Sequence, residues 1–105
     1  MTPEERHFGS VMFGALANPA RLHILEVLMQ EPASVNEIAQ KVGLKQSMAS
    51  QHLSALLRVG VVVKQPNGNT RIYSLRGPRI TQILKLVEEF YEVHLCSLRE
   101  LLSRQ

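Results

Sequence analysis

Val35-Asn36-Glu37-Ile38-Ala39-Gln40-Lys41-Val42-Gly43-Leu44-Lys45-Gln46-Ser47-Met48-Ala49-Ser50-Gln51-His52-Leu53-Ser54-Ala55-Leu56-Leu57-Arg58-Val59-Gly60 is the stretch that decides the fold. Ser34 stands just before it and Glu37 three residues further on, a capping box that starts a short helix over 35–42. Gly43 suits the left-handed residue that ends a helix. A turn of about three residues follows, and then a helix from about Gln46 to Val59, stopped by Gly60. Two helices joined by a tight, Gly-containing turn make a helix-turn-helix.

The second of these helices is two-faced. At 100° per residue, Gln46, Ser47, Ser50, Gln51, Ser54 and Arg58 share an arc of about 140°. Ala49, Leu53, Leu56 and Leu57 cluster opposite and are expected in the core. The outer arc is Ser and Gln, with Lys45 and Arg58 at its ends, where a merely soluble helix carries Glu–Lys pairs. Uncharged donors and acceptors suit base edges in the major groove. Basic side chains at the ends suit phosphates, which fix register. The plain alternative is a solvated polar surface.

Downstream the period changes from helix to strand. Val61-Val62-Val63 is short and β-branched, Pro66-Asn67-Gly68-Asn69 is dense in turn formers, and Asn-Gly is a strong hairpin signal. Thr70-Arg71-Ile72-Tyr73-Ser74-Leu75 alternates polar and apolar residues as a half-buried strand does. Such a ribbon after a helix-turn-helix is a wing. Lys64 and Arg71 flank its turn and are placed to grip phosphates or enter the minor groove. Gly77-Pro78 then opens a last helix of about 25 residues, roughly 40 Å long. Its apolar positions, Ile80 through Leu102, run its whole length, more than so small a domain covers alone; a second copy is the expected cover.

Upstream, Phe8, Val11, Met12, Ala15 and Leu16 repeat with helical spacing. Asn18-Pro19 ends that helix and caps another, which carries Leu22, Leu25, Leu28 and Met29 on one side. Glu31-Pro32 closes it. The fold expected is mainly α with a small β-hairpin, α-α-α-α-β-β-α, one winged helix-turn-helix domain over residues 1–105.

The 105 residues carry a net charge of +3, which understates a sharper feature. Between Ile38 and Val87 no acidic residue occurs, while Lys41, Lys45, Arg58, Lys64, Arg71, Arg76, Arg79 and Lys85 all do. Every glutamate lies outside this block, and there is no Asp. A one-sign block framed by compensating charge is the footprint of a polyanion binder. No apolar run approaches the roughly 20 residues that span a bilayer, the start Met1–Arg6 is too polar for a signal peptide, and Cys96 is alone. A cytoplasmic protein without membrane association is expected. Phosphate loops, Gly-x-Ser-x-Gly and paired Asp are all missing, so an enzyme is not expected.

The runs Leu16-Ala17-Asn18-Pro19-Ala20-Arg21-Leu22-His23-Ile24-Leu25, Glu37-Ile38-Ala39, Gln46 to Leu56 and Gly60-Val61-Val62 resemble the ArsR/SmtB family of bacterial repressors. The resemblance covers nearly the whole chain from about Phe8. It implies a homodimer with the first and last helices as dimerisation helices, binding an inverted repeat in double-stranded DNA, with Gln46, Ser47, Ser50 and Gln51 as major-groove readers. Many family members release DNA on binding a metal. Where the arsenic and cadmium type has Cys-x-Cys, this chain has Ser34 and Asn36. Where the zinc type has Asp-x-His and His-x-x-Glu, it has Gly77 and Arg79, then Phe90 and Val93. None of these supplies a thiolate, imidazole or carboxylate, so no metal or other cofactor is inherited from the resemblance.

Leftover metal candidates are few. His94 and Cys96, two apart on a helix, point to nearly opposite sides. Glu89, Glu92 and Cys96 share a face, and with His7 or His94 of a partner they form a candidate site; packing is the plainer use of such a Cys. Cys96 pairing with its symmetry mate is a separate redox candidate. The expected function is a dimeric, sequence-specific DNA-binding regulator, a repressor, whose metal, small-molecule or protein effector the residues do not name. The alternative is a winged-helix adaptor regulated by a partner protein, which has no need of an acid-free stretch.

Overall fold

A computed structural model describes residues 1–104. The elements are α1 (Pro3–Leu16), α2 (Pro19–Gln30), α3 (Val35–Val42), α4 (Gln46–Arg58), β1 (Val62–Asn67), β2 (Thr70–Leu75) and α5 (Arg79–Ser103). The expected order of helices and hairpin is the one found.

Local chemistry starts and stops these elements. Ser34 Oγ accepts from the Glu37 N–H at 3.3 Å, and the Glu37 carboxylate accepts from the Ser34 N–H at 3.0 Å. Gly43 ends α3 at φ 72°. Asn18 Oδ1 accepts from the Ala20 and Arg21 N–H groups at 2.9 and 3.1 Å and so starts α2. α1 begins at Pro3, ahead of the periodic residues, because Thr2-Pro3-Glu4-Glu5 is itself a capping box: Thr2 and Glu5 exchange bonds of 2.7 and 3.1 Å. These bonds hold the Glu5 and Glu37 carboxyls below their ordinary pKa, chiefly through the backbone N–H of Thr2 and of Ser34.

The core joins Leu16, Ile24, Leu25, Leu28, Ile38, Leu53 and Leu56 with Val61, Val62, Ile80 and Leu84. α2 buries Ile24, Leu25 and Leu28, while Leu22 and Met29 are only half-buried. Its buried stripe is turned toward Ile24 because α1, α3 and α4 all pack on it. A fully buried side chain of this kind contributes about 1.5–3 kcal/mol, so the α2–α3–α4 centre, with Ile24, Leu25, Ile38, Leu53 and Leu56 fully enclosed, dominates stability.

The wing departs from its expected details in two ways. Asn67 pairs with Thr70, so the two-residue loop is Gly68-Asn69 and not Asn-Gly. Gly68 has φ 65° while, among the described residues, no non-glycine residue has positive φ, the pattern of a type II′ turn. β2 also lacks a clean alternation: Ile72, Tyr73, Ser74 and Leu75 are all half-buried. The cause is an unforeseen neighbour, Ala33 in the α2–α3 connection, which exchanges backbone bonds of 2.8 and 3.0 Å with Tyr73. Since Tyr73 aims its N–H and C=O at Ala33, its pairing with Lys64 is of the non-hydrogen-bonded kind. By alternation so is Pro66 with Arg71, which is why a proline fits in this strand.

α5 buries only Ile80 and Leu84, and Ile83 packs partly against the core. Beyond them Leu86, Val87, Phe90, Tyr91, Val93, Leu98, Leu101 and Leu102 are exposed, and the chain extends to 60 × 37 × 22 Å. Among the described residues no helix is long and apolar enough to cross a membrane.

Candidate nucleic-acid interface

Burial fixes the rotation of α4. Ala49, Leu53 and Leu56 are fully enclosed, and Leu57 is half-buried at the edge of that face. The opposite side then has no choice: Gln46, Ser47, Ser50, Gln51, Ser54 and Arg58 are all exposed. Lys45 is the N-cap residue and is exposed; its side chain caps none of the first amides of α4. Met48, 41% exposed beside this arc, is a residue the polarity pattern did not single out.

The wing adds cations on one surface. Lys64 pairs with Tyr73 and Arg71 with Pro66. Paired residues share a face and alternate residues return to it, so Lys64 and Arg71 lie on the same side of the ribbon. Both are exposed, as is the tip, Asn67-Gly68-Asn69.

Not all of the basic block is available. Lys41 pairs with Glu31 at 3.5 Å. Arg76 donates from Nε to the Gly60 carbonyl, tying the α4–β1 turn to the end of β2. Arg79 donates to Gln82 Oε1 at 3.5 Å. Among the described residues, the side chains of Lys45, Arg58, Lys64 and Arg71 make no hydrogen bond or ion pair with the protein, nor do those of Gln46, Ser47, Ser50, Gln51 and Ser54.

One long-range contact escaped the sequence. Arg21 Nε donates to His52 Nδ1 at 3.2 Å, and its terminal nitrogen donates to the Ala15 carbonyl at 3.1 Å. The partners are 31 residues apart in one case, and no local signal links them.

The leftover metal candidates do not gather within one chain. His7 lies on α1 and Glu92, His94 and Cys96 on α5, all exposed; Cys96 is a free thiol. Among the described residues no three His, Cys, Asp or Glu side chains form a metal-holding group. Ser34 spends its hydroxyl on capping α3. Two apolar grooves, about 360 and 250 Å³, flank Ile83 between α1 and α5. Phe8 and Phe13 of α1 line them and are largely exposed.

A helix-turn-helix with a wing and an outward polar face on its second helix is the architecture of a class of transcriptional regulator. The family model described as "Bacterial regulatory protein, arsR family" matches residues 18–64, from the α2 cap into β1. The HTH-type transcriptional regulator Rv0081 of Mycobacterium tuberculosis is 42% identical over 78 residues, 73% of this chain and 68% of that protein. Its crystal structure superposes with a TM-score of 0.81 over 92% of this chain and 97% of that one. Nodulation protein NolR of Rhizobium meliloti is 37% identical over 93 residues, 85% of this chain and 76% of that protein. The solution structure of the homodimeric winged helix-turn-helix DNA-binding domain of Mb0332 from Mycobacterium bovis has a TM-score of 0.81 at 28% identity, over 90% and 91% of the two chains. The chain belongs to the arsR family of bacterial regulatory proteins. It is accordingly a transcriptional regulator and not an enzyme, and an interaction adaptor finds no support among these relatives.

Proposed function

We propose that the protein works in the cytoplasm as a homodimer that binds an inverted repeat in duplex DNA and represses transcription from it. The observation that carries this is α4: its buried face is aliphatic, and its whole exposed arc is Ser and Gln between Lys45 and Arg58. In the major groove Gln46, Ser47, Ser50, Gln51 and Ser54 read base edges, and Lys45 and Arg58 hold phosphates. The uncapped amides at the start of α4 favour a phosphate as well. Lys64 and Arg71 reach the flanking backbone or minor groove from the wing.

The chain acts as one DNA-binding domain, with α1 and α5 as its dimerisation helices. The homodimeric state of the Mb0332 domain and the exposed apolar faces of α1 and α5 support this. Dimerisation sets two α4 helices roughly 34–36 Å apart, in successive major grooves. The positions that match the two familiar metal sites of the family carry Ser34, Asn36, Gly77, Arg79, Phe90 and Val93, so neither of those sites enters this reading. The test is selection of duplexes from a random pool by the purified, reduced, metal-free protein, then a salt titration on the winner. An inverted repeat with half-sites one turn apart and a steep salt slope is the expected result. Enrichment of no sequence, with weak binding even at low salt, sinks the proposal.

A further inference from the structure

We infer that Arg21 is a positioning residue for sequence reading: one guanidinium holds the roll of α4 against the end of α1. This rests on α4 being the DNA-reading helix. The aliphatic contacts of Ala49, Leu53 and Leu56 set how deep α4 sits, but apolar contact is non-directional and lets a helix roll and slide. Hydrogen bonds are directional, and Arg offers its donors in a rigid planar fork. Here Nε takes His52 Nδ1 in the middle of α4, and a terminal nitrogen takes the Ala15 carbonyl in the last turn of α1. The Arg21 backbone is itself pinned, because its N–H donates to Asn18 Oδ1 at 3.1 Å. Arg21 and His52 are both half-buried, so the fork is partly sheltered from competing water.

His52 follows Gln51 directly and lies about 100° round the helix from it. Fixing the imidazole therefore fixes the azimuth of the reading arc. Short side chains feel this most. Ser47, Ser50 and Ser54 have no slack to follow a rolled helix, and a base contact is lost with errors of about 0.5 Å or 10–20°. Lys45, Arg58, Lys64 and Arg71 have long stems and keep their phosphates through such a roll. The tether thus contributes to discrimination between sequences and hardly at all to affinity for DNA as such. It also gives a route from a dimerisation helix to the readers: whatever displaces the last turn of α1 pulls on His52.

The experiment measures fluorescence anisotropy on the duplex recovered from the random pool and on a scrambled duplex of equal length, with Tm recorded for each variant. Arg21→Gln and His52→Ala are each expected to weaken the selected duplex by about tenfold, the scale of one charge-assisted hydrogen bond. Binding of the scrambled duplex stays within about twofold. The double variant loses no more than either single one, since both break one contact. His52→Asn, whose Oδ1 takes the place of Nδ1 as acceptor, restores discrimination. Equal weakening on both duplexes, additive losses, or no rescue by His52→Asn overturns the inference. His52→Ala puts a strong helix former at a half-buried position, so it keeps the test open should Arg21→Gln fail to fold. If the wild-type protein itself does not separate the two duplexes, the DNA-reading assignment falls and the tether with it, an outcome distinct from loss of the tether alone.

Discussion

α4 and α5 both leave a long side uncovered in a single chain, with opposite chemistry. α4 shows Gln46, Ser47, Ser50, Gln51 and Ser54 between two cations and no carboxylate. α5 shows Val87, Phe90, Tyr91, Val93, Leu98, Leu101 and Leu102, interspersed with Glu88, Glu89, Glu92 and Glu100. The α4 surface is content in water until a polyanion displaces it. The α5 surface is not: a Phe, Leu or Val moved from exposure to burial contributes about 1.5–3 kcal/mol. A handful of them offsets an association cost of about 4–15 kcal/mol. The carboxylates on α5 also make that helix a poor surface for a polyanion. On the proposed function, one fold sorts two partners by exposed chemistry: nucleic acid at α4, a second copy at α5.

The largest effect should come from breaking the apolar side. Phe90 is 79% exposed, so Phe90→Glu leaves the core of the single chain untouched. In a dimer it buries a charge. Sedimentation should show monomers, and affinity for the selected duplex should fall by about 10²–10⁴-fold as two half-sites cease to be linked. A variant that stays dimeric would remove α5 from the interface. Next in size is the polar side. Gln51→Ala should cost about 1–3 kcal/mol on the selected duplex and broaden the recovered sequences, with dimerisation unchanged. If it weakened all duplexes alike, Gln51 would be a phosphate contact and the division of labour on α4 would need redrawing.

What could be read in advance followed the range of the forces involved. Ser34, Glu37 and Gly43 act within one helical turn, and α3 lies where they put it. Ala49, Leu53 and Leu56 act through helical period, and the exposed arc of α4 followed from them. Thr2 and Glu5 carry the same local signal as Ser34 and Glu37, yet apolar period alone starts α1 too late. The wing turn moved by one residue because Asn67 can close the ladder with Thr70 while Gly68 alone takes the positive φ. Ala33 with Tyr73, Arg21 with His52 and Arg76 with Gly60 are tertiary bonds between segments remote in sequence, and no periodicity reports them. The same holds for charge. Lys41 and Arg76 read like Lys64 and Arg71 in the sequence, but the fold gives the first two to Glu31 and Gly60.

A smaller change tests the sign of the wing. Arg71→Ala should weaken every duplex to a similar degree and lower the salt slope by about 1. Between 50 and 200 mM salt that reduces the loss of affinity by roughly threefold. A changed sequence preference would instead place Arg71 among the base readers.

The smallest expected effect concerns how α4 begins. Thr2 and Ser34 cap α1 and α3 with full boxes and Asn18 caps α2, whereas the N-cap of α4 is Lys45, whose side chain cannot accept a hydrogen bond. A Lys at an N-cap also sets a positive charge against the positive end of the helix. Both effects cost folding free energy, and both leave amides and a cation facing outward at the edge of the reading arc. Lys45→Ser should therefore make the protein more stable, by about 1 kcal/mol, or about 4–8 °C in Tm for a domain of this size. The same variant should bind all duplexes more weakly, with a salt slope lower by about 1. α4 is then a helix whose first turn is kept suboptimal for the ligand it meets. A Lys45→Ser protein that gained stability and kept its affinity would show that the missing cap serves no phosphate, and would confine DNA contact to the side of α4 and the wing.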